Sequence, residues 1–182
     1  TPAFAAVRSG ESHGSFAIIA CSSAKEKLKS CTSSPRDQEV IAVDSGQHIQ
    51  ASITGSGFSC HPTIDSSEWN VAINLHVLKR GTAQRSPITD PAIWHEPGRS
   101  IAAHGSFDIE HVISTAGIRQ NFIVHERMNG SGTLDLLLTT SSRLRPLDLG
   151  QNVIAFADEQ FTQVLRYSEL CVWDAKGDTL QA

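Results

Sequence analysis

The clearest pattern in the chain is a strict alternation of apolar and polar positions from Trp69 to Leu78. Trp69, Val71, Ile73, Leu75 and Val77 fall on one side, and Glu68, Asn70, Asn74 and His76 on the other. Successive strand side chains point to opposite faces, so a period of two over this length predicts a half-buried antiparallel strand. The same rhythm returns in His48 to Thr54, through Ile49, Ala51 and Ile53, and in Ser106 to Ser114, through Phe107, Ile109, His111 and Ile113. Looser signals predict strands over 39–43, 58–61, 120–126, 133–140, 152–157 and 164–173. Three consecutive leucines in 133–140 predict burial on both faces of that strand. Turn chemistry separates these runs: Gly55-Ser56-Gly57, Met128-Asn129-Gly130-Ser131-Gly132 and Asp174-Ala175-Lys176-Gly177. Residues 79–104 read as loop, because Pro87, Pro91 and Pro97 interrupt a regular ladder, and 143–150 reads as a connection. No amphipathic helix of three turns and no fixed-period repeat occurs. The expected fold class is all-β: an antiparallel β-sandwich with a distinct N-terminal segment.

That segment, residues 1–39, is rich in Ser, Ala, Gly and Lys and closes on Ser33-Ser34-Pro35-Arg36-Asp37. It holds one predicted strand, Ser15 to Cys21, carrying Phe16 and Ile18, and one or two helical turns over Ala24 to Lys29. The expected organisation is an N-terminal extension over 1–39 and a sandwich domain over 40–182.

At 182 residues, 40% of them hydrophobic, the chain has the size of one domain. Its net charge is −4 with both signs interspersed, and no basic block is present. Nucleic acid and a polybasic membrane contact are therefore not expected partners. The longest apolar runs, such as Ala17 to Cys21, are far too short to span a bilayer. A chain opening at Thr1 reads either as an exported chain after removal of its signal or as an excised fragment.

Cys21, Cys31, Cys60 and Cys171 form an even set that allows three pairings. Cys21 and Cys31 are close in sequence and flank a charged segment, so the expected bridges are Cys21–Cys31 and, by exclusion, Cys60–Cys171. Such bridges fit a β-rich exported chain; four free thiols in a reducing compartment is the other reading. Zinc is disfavoured because no Cys-x-x-Cys pair occurs.

One run of residues carries a family resemblance: Gly117-Ile118-Arg119-Gln120-Asn121-Phe122, then Gly130 to Leu138, then Leu165-Arg166-Tyr167-Ser168-Glu169-Leu170-Cys171-Val172-Trp173-Asp174-Ala175-Lys176-Gly177 and Leu180. This order resembles the amino-terminal β-rich module of large secreted bacterial proteins, where it precedes β-propeller or FG-GAP repeats, PKD-like domains or a sorting domain. The resemblance spans residues 40–182. It implies a secreted or cell-surface β-sandwich and supplies no catalytic residues. The family continues past the final hairpin into another strand, which this chain lacks, and such an omission predicts an unpaired sheet edge.

Candidate chemistry is sparse. The eight histidines include no His-x-His pair and are expected to be solvated or hydrogen-bonded rather than metal ligands. Asp108 and Glu110 share one strand face, with His111 on the other. Gly55-Ser56-Gly57 and Gly130-Ser131-Gly132 read as turns rather than as the elbow of a serine nucleophile. Asp44-Ser45-Gly46 and Asp174 to Asp178 read as turns rather than calcium loops. Trp69 and Trp173 are expected in the core. Trp94, in the proline-rich stretch Pro91 to Pro97, either packs over the sandwich or stands exposed as an anchor for a partner. No catalytic residue, cofactor or metal is expected.

These readings point to a non-enzymatic extracellular structural or interaction domain whose partners are proteins, foremost copies of itself. The strand Ser15 to Cys21, with Phe16 and Ile18, would be donated to a neighbouring copy and so build a filament. The alternative is a carbohydrate-binding or glycoside-hydrolysing β-sandwich. That reading requires a solvent-facing aromatic platform or a carboxylate pair in a cleft.

Overall fold

The computed structural model describes residues 4–9, 14–20, 40–44, 49–63, 69–114, 117–174, 176 and 178–180. No helix occurs among them. The strands are β1 (Phe4–Ser9), β2 (Gly14–Ala20), β3 (Val40–Asp44), β4 (Ile49–Ile53), β5 (Gly57–Pro62), β6 (Val71–Arg80), β7 (Ala83–Arg85) and β8 (Ala92–Glu96). They continue with β9 (Arg99–Ala103), β10 (Phe107–Ser114), β11 (Gly117–Val124), β12 (Leu134–Ser142), β13 (Arg145–Gly150), β14 (Val153–Ala157), β15 (Gln163–Asp174) and β16 (Thr179–Leu180).

They form two antiparallel sheets. The first runs β1-β12-β6-β5-β4-β3, with β7 folded back on β6. The second runs β13-β14-β15-β2-β11-β10-β9-β8, with β16 on β15. The apolar halves of the alternating strands meet between them. Ile53, Phe58, Val71, Ile73, Leu75 and Leu78 of the first sheet share one core with Phe107, Ile109, Phe122, Phe156 and Val172 of the second. Each such side chain, fully buried, contributes about 1.5–3 kcal/mol relative to exposure. The expected all-β sandwich is the observed architecture.

The alternation in β6 is genuine but broken once. Val71, Ile73 and Leu75 are buried, His76 is exposed, and beyond it both Val77 and Leu78 are buried. The pairing with β12 shifts register between Leu137 and Leu138, skipping His76. This bulge re-aims the end of the strand, so Arg80 points inward. Trp69 precedes the strand and packs against the core from its rim. Trp173 is half-buried and does not join the core, contrary to expectation. On β12, Leu136 and Leu138 are buried while Leu137 is only partly covered, so burial is one-sided.

Two stretches expected to be irregular are strands. Pro87, Pro91 and Pro97 fall between elements rather than within them, and β8 and β9 form a hairpin closed by Pro97 and Gly98. Gly98 has φ +74°, the conformation that a proline–glycine turn requires. Likewise β13 occupies part of the expected connection, turning into β14 through Gln151 and Asn152, both at positive φ.

The N-terminal strands are built into both sheets. β1 pairs with β12 at an edge of the first sheet. β2 lies between β11 and β15 in the second: Phe16 is opposite Phe122 on one side and Val172 on the other, and Ile18 is opposite Gln120. The helical turns expected over 24–29, together with Cys21 and Cys31, lie outside the described residues.

The expected Cys60–Cys171 bridge is not formed. Cys60, on β5, is buried in the shared core, whereas Cys171, on β15 of the other sheet, is exposed. A disulfide needs Cα atoms within about 7 Å. A thiol on the outer side of one sheet cannot meet an inward thiol of a facing sheet about 10 Å away.

Candidate functional site

The second sheet carries two polar rows, one on each face. Phe107, Ile109 and Ile113 of β10 join the shared core, so Asp108, Glu110 and Val112 lie on the other face, where Glu110 is also buried. Cross-strand partners share a face. The register Trp94–Ile101–Glu110–Asn121 therefore places these four side chains in one outer row across β8, β9, β10 and β11.

In this row Trp94 is 57% exposed. Its indole therefore stands exposed rather than packed over the sandwich. Next to it, Arg99 donates from Nε to Glu110 Oε1 and lies 3.6 Å from Glu96. The hydrogen bond and charge of Glu110 push the Arg99 guanidinium above its usual value. Asn121 donates from its amide to the other Glu110 oxygen. Asp108, one row away, pairs with His125 at 2.9 Å. Asp108 and Glu110 thus share a face as expected, but each is tied to its own neighbour rather than to the other.

The inner row is buried. Tyr167 donates to Gln120 Oε1 at 3.2 Å, and the Gln120 amide reaches His111 Nε2 at 3.1 Å. His111 is fully buried, edge-on to Phe58 of the opposite sheet, and its Nδ1 has no partner. Burial pushes its pKa down to about 3, and pushes the Tyr167 hydroxyl well above its ordinary range. A neutral imidazole inside the sandwich orders three strands and is poorly placed to exchange protons with a ligand.

A third feature is a recess of about 490 Å³ lined by residues 54–56, Leu75, His76, Ser86 to Thr89 and Pro91. His104 ties its walls together. Its Nε2 lies 2.8 Å from the Gly55 carbonyl, and its Nδ1 accepts from the Ile88 N–H at 3.1 Å. That pairing requires the neutral ring protonated on Nε2. Burial lowers the His104 pKa in the same direction, and the ring stacks on Phe107.

Among the described residues no three His, Cys, Asp or Glu side chains converge as a metal site would require. His13 and His48 lie outside those residues, as does the loop after Asp44. Asp174 accepts from the backbone N–H groups of Lys176 and Asp178, which is turn chemistry. Among the described residues no helix is long and apolar enough to cross a membrane. The sequence did not disclose the row joining Trp94 to Glu110. The prolines around Trp94 hid its strand, and only the register of β8, β9 and β10 brings the residues together.

No family model, curated protein or solved structure matches this chain.

Proposed function

We propose that this chain is a non-enzymatic interaction module of extracellular or cell-surface assemblies, joining copies of itself by exchange of strand β2. The observation that carries the proposal is the position of β2. It lies between β11 and β15 in the second sheet and pairs with both, although it comes from the segment that reads as separate in sequence. The chain's own β2 occupies that position between β11 and β15. A slot that accepts its own strand accepts the identical strand of a second copy with the same hydrogen bonds, which is the logic of domain swapping.

Two further observations support the non-enzymatic reading. Asp108, Glu110, His104 and His111 are each engaged in contacts that hold strands or turns together. The resemblance to the amino-terminal module of secreted bacterial proteins points to the same class and to an exported location. The unformed Cys60–Cys171 bridge withdraws one argument for an oxidising compartment, and the location rests on the resemblance.

The test is the assembly state. The full chain is expected to form concentration-dependent oligomers by sedimentation, and a chain lacking residues 1–39 to lose them. Because that deletion also removes a central strand, a locked variant supplies the second arm. S15C/I123C, at paired positions of β2 and β11, stays folded when oxidised and is expected to remain monomeric. Oligomers of the oxidised variant equal to those of the parent would overturn the proposal.

A further inference from the structure

We propose that the outer face of the second sheet around Trp94 binds a neutral pyranose saccharide. This goes beyond self-assembly and does not depend on it.

The indole lies on a regular strand at the sheet margin, not on a loop tip. Its neighbours on the outer face are Ile101 directly across in β9 and the small Ala92–Ala103 pair beyond. The next outer-face residue in that row is Asp108 of β10, tied to His125. On the other side stands the exposed Glu96–Arg99 ion pair, fixed from behind by the buried Glu110, which Asn121 holds in turn. The result is an aromatic platform bordered on one flank by fixed acceptors and donors.

A pyranose ring has this polarity. One face of C–H bonds stacks on an aromatic surface, and equatorial hydroxyls both give and accept hydrogen bonds around the rim. Glu96 offers an exposed carboxylate, and Arg99 retains N–H groups beyond those facing Glu96 and Glu110. The charges select against other ligands. Two carboxylates surround one guanidinium, so an anionic ligand meets a net negative edge. The guanidinium is already claimed by Glu110. A neutral hydroxylated ligand gains the stacking without displacing the ion pairs.

The experiment uses the full chain with its tryptophan indole N–H signals followed by NMR, and Trp94→Phe to assign the Trp94 signal. The probes are neutral gluco-, galacto- and manno-oligosaccharides, with polygalacturonate as the acidic control. The expected result is a saturable shift of the Trp94 signal by a neutral saccharide, with a Kd on the order of 1 mM, while Trp69 and Trp173 stay still. Trp94→Ala should weaken binding about tenfold or more at an unchanged unfolding midpoint. No shift with any neutral saccharide, preference for polygalacturonate, or binding that survives Trp94→Ala would each overturn the inference. So would a Trp94→Ala effect on self-association without saccharide binding, which would make this face a protein contact.

Discussion

His111 shows what one buried titratable side chain imposes on the fold. Its pKa is about 3 in the folded chain, against about 6.5 for an unperturbed imidazole. Below pH 6.5 the unfolded chain takes up a proton that the folded chain refuses. The stability associated with neutral His111 is therefore complete above pH 6.5 and is lost as pH falls towards 3. Well below pH 6.5 the slope is about 1.4 kcal/mol per pH unit from this residue. His104, also shifted downwards by burial, adds to the loss in the same direction. Urea unfolding at neutral and mildly acidic pH should show this decline. His111→Gln, which keeps an amide partner for Gln120, should give a flatter pH dependence even if it lowers stability at neutral pH. Equal slopes for parent and variant would show that His111 is not the group responsible. The cysteines give a second residue-scale prediction. Cys171 is exposed and Cys60 is buried. A thiol reagent should label Cys171 in the native protein and Cys60 only on unfolding, as read by peptide mass.

At the scale of the element, turns and bulges decide more than strand propensity. Gly57 opens β5 against β6, and a Cβ there would lie 2.0 Å from the Ile73 carbonyl oxygen. Gly57→Ala must push backbone against backbone, so it should destabilise by about 2 kcal/mol or more, measured as a lowered denaturation midpoint. The glycine-rich turn at Gly130 has the same character: its φ is +109° and a Cβ would come within 2.7 Å of the Arg80 carbonyl. Both turns were legible as turns in the sequence, and so were the strands with clean alternation, because those signals are local. The hairpin of β8 and β9 was not. Pro91 and Pro97 read as breakers, yet each sits just outside a strand, where it removes no ladder hydrogen bond. The buried His111–Gln120–Tyr167 row was also invisible. Its members come from three strands far apart in sequence, and only register aligns them. His76 misled the face assignment at the end of β6, since a bulge has no periodic signature.

At the scale of the whole molecule, the second sheet is two pieces joined by a strand from the chain's beginning. Removing β2 leaves β11 and β15 each with an unpaired edge and opens the core beside Phe122 and Val172. A chain starting at Glu39 should therefore lose its cooperative urea transition, and a synthetic peptide covering residues 14–20 should restore it when added in trans. A truncated chain that unfolds with the parent's midpoint would show that β2 is dispensable.

The place of β2 also sets the order of events at birth. β2 is made before both of its partners and must wait for β11 and then β15 before either of its ladders can close. Contacts of such long sequence separation form slowly. The two ladders of β2 are therefore expected to close after local hairpins such as β8–β9 and β10–β11.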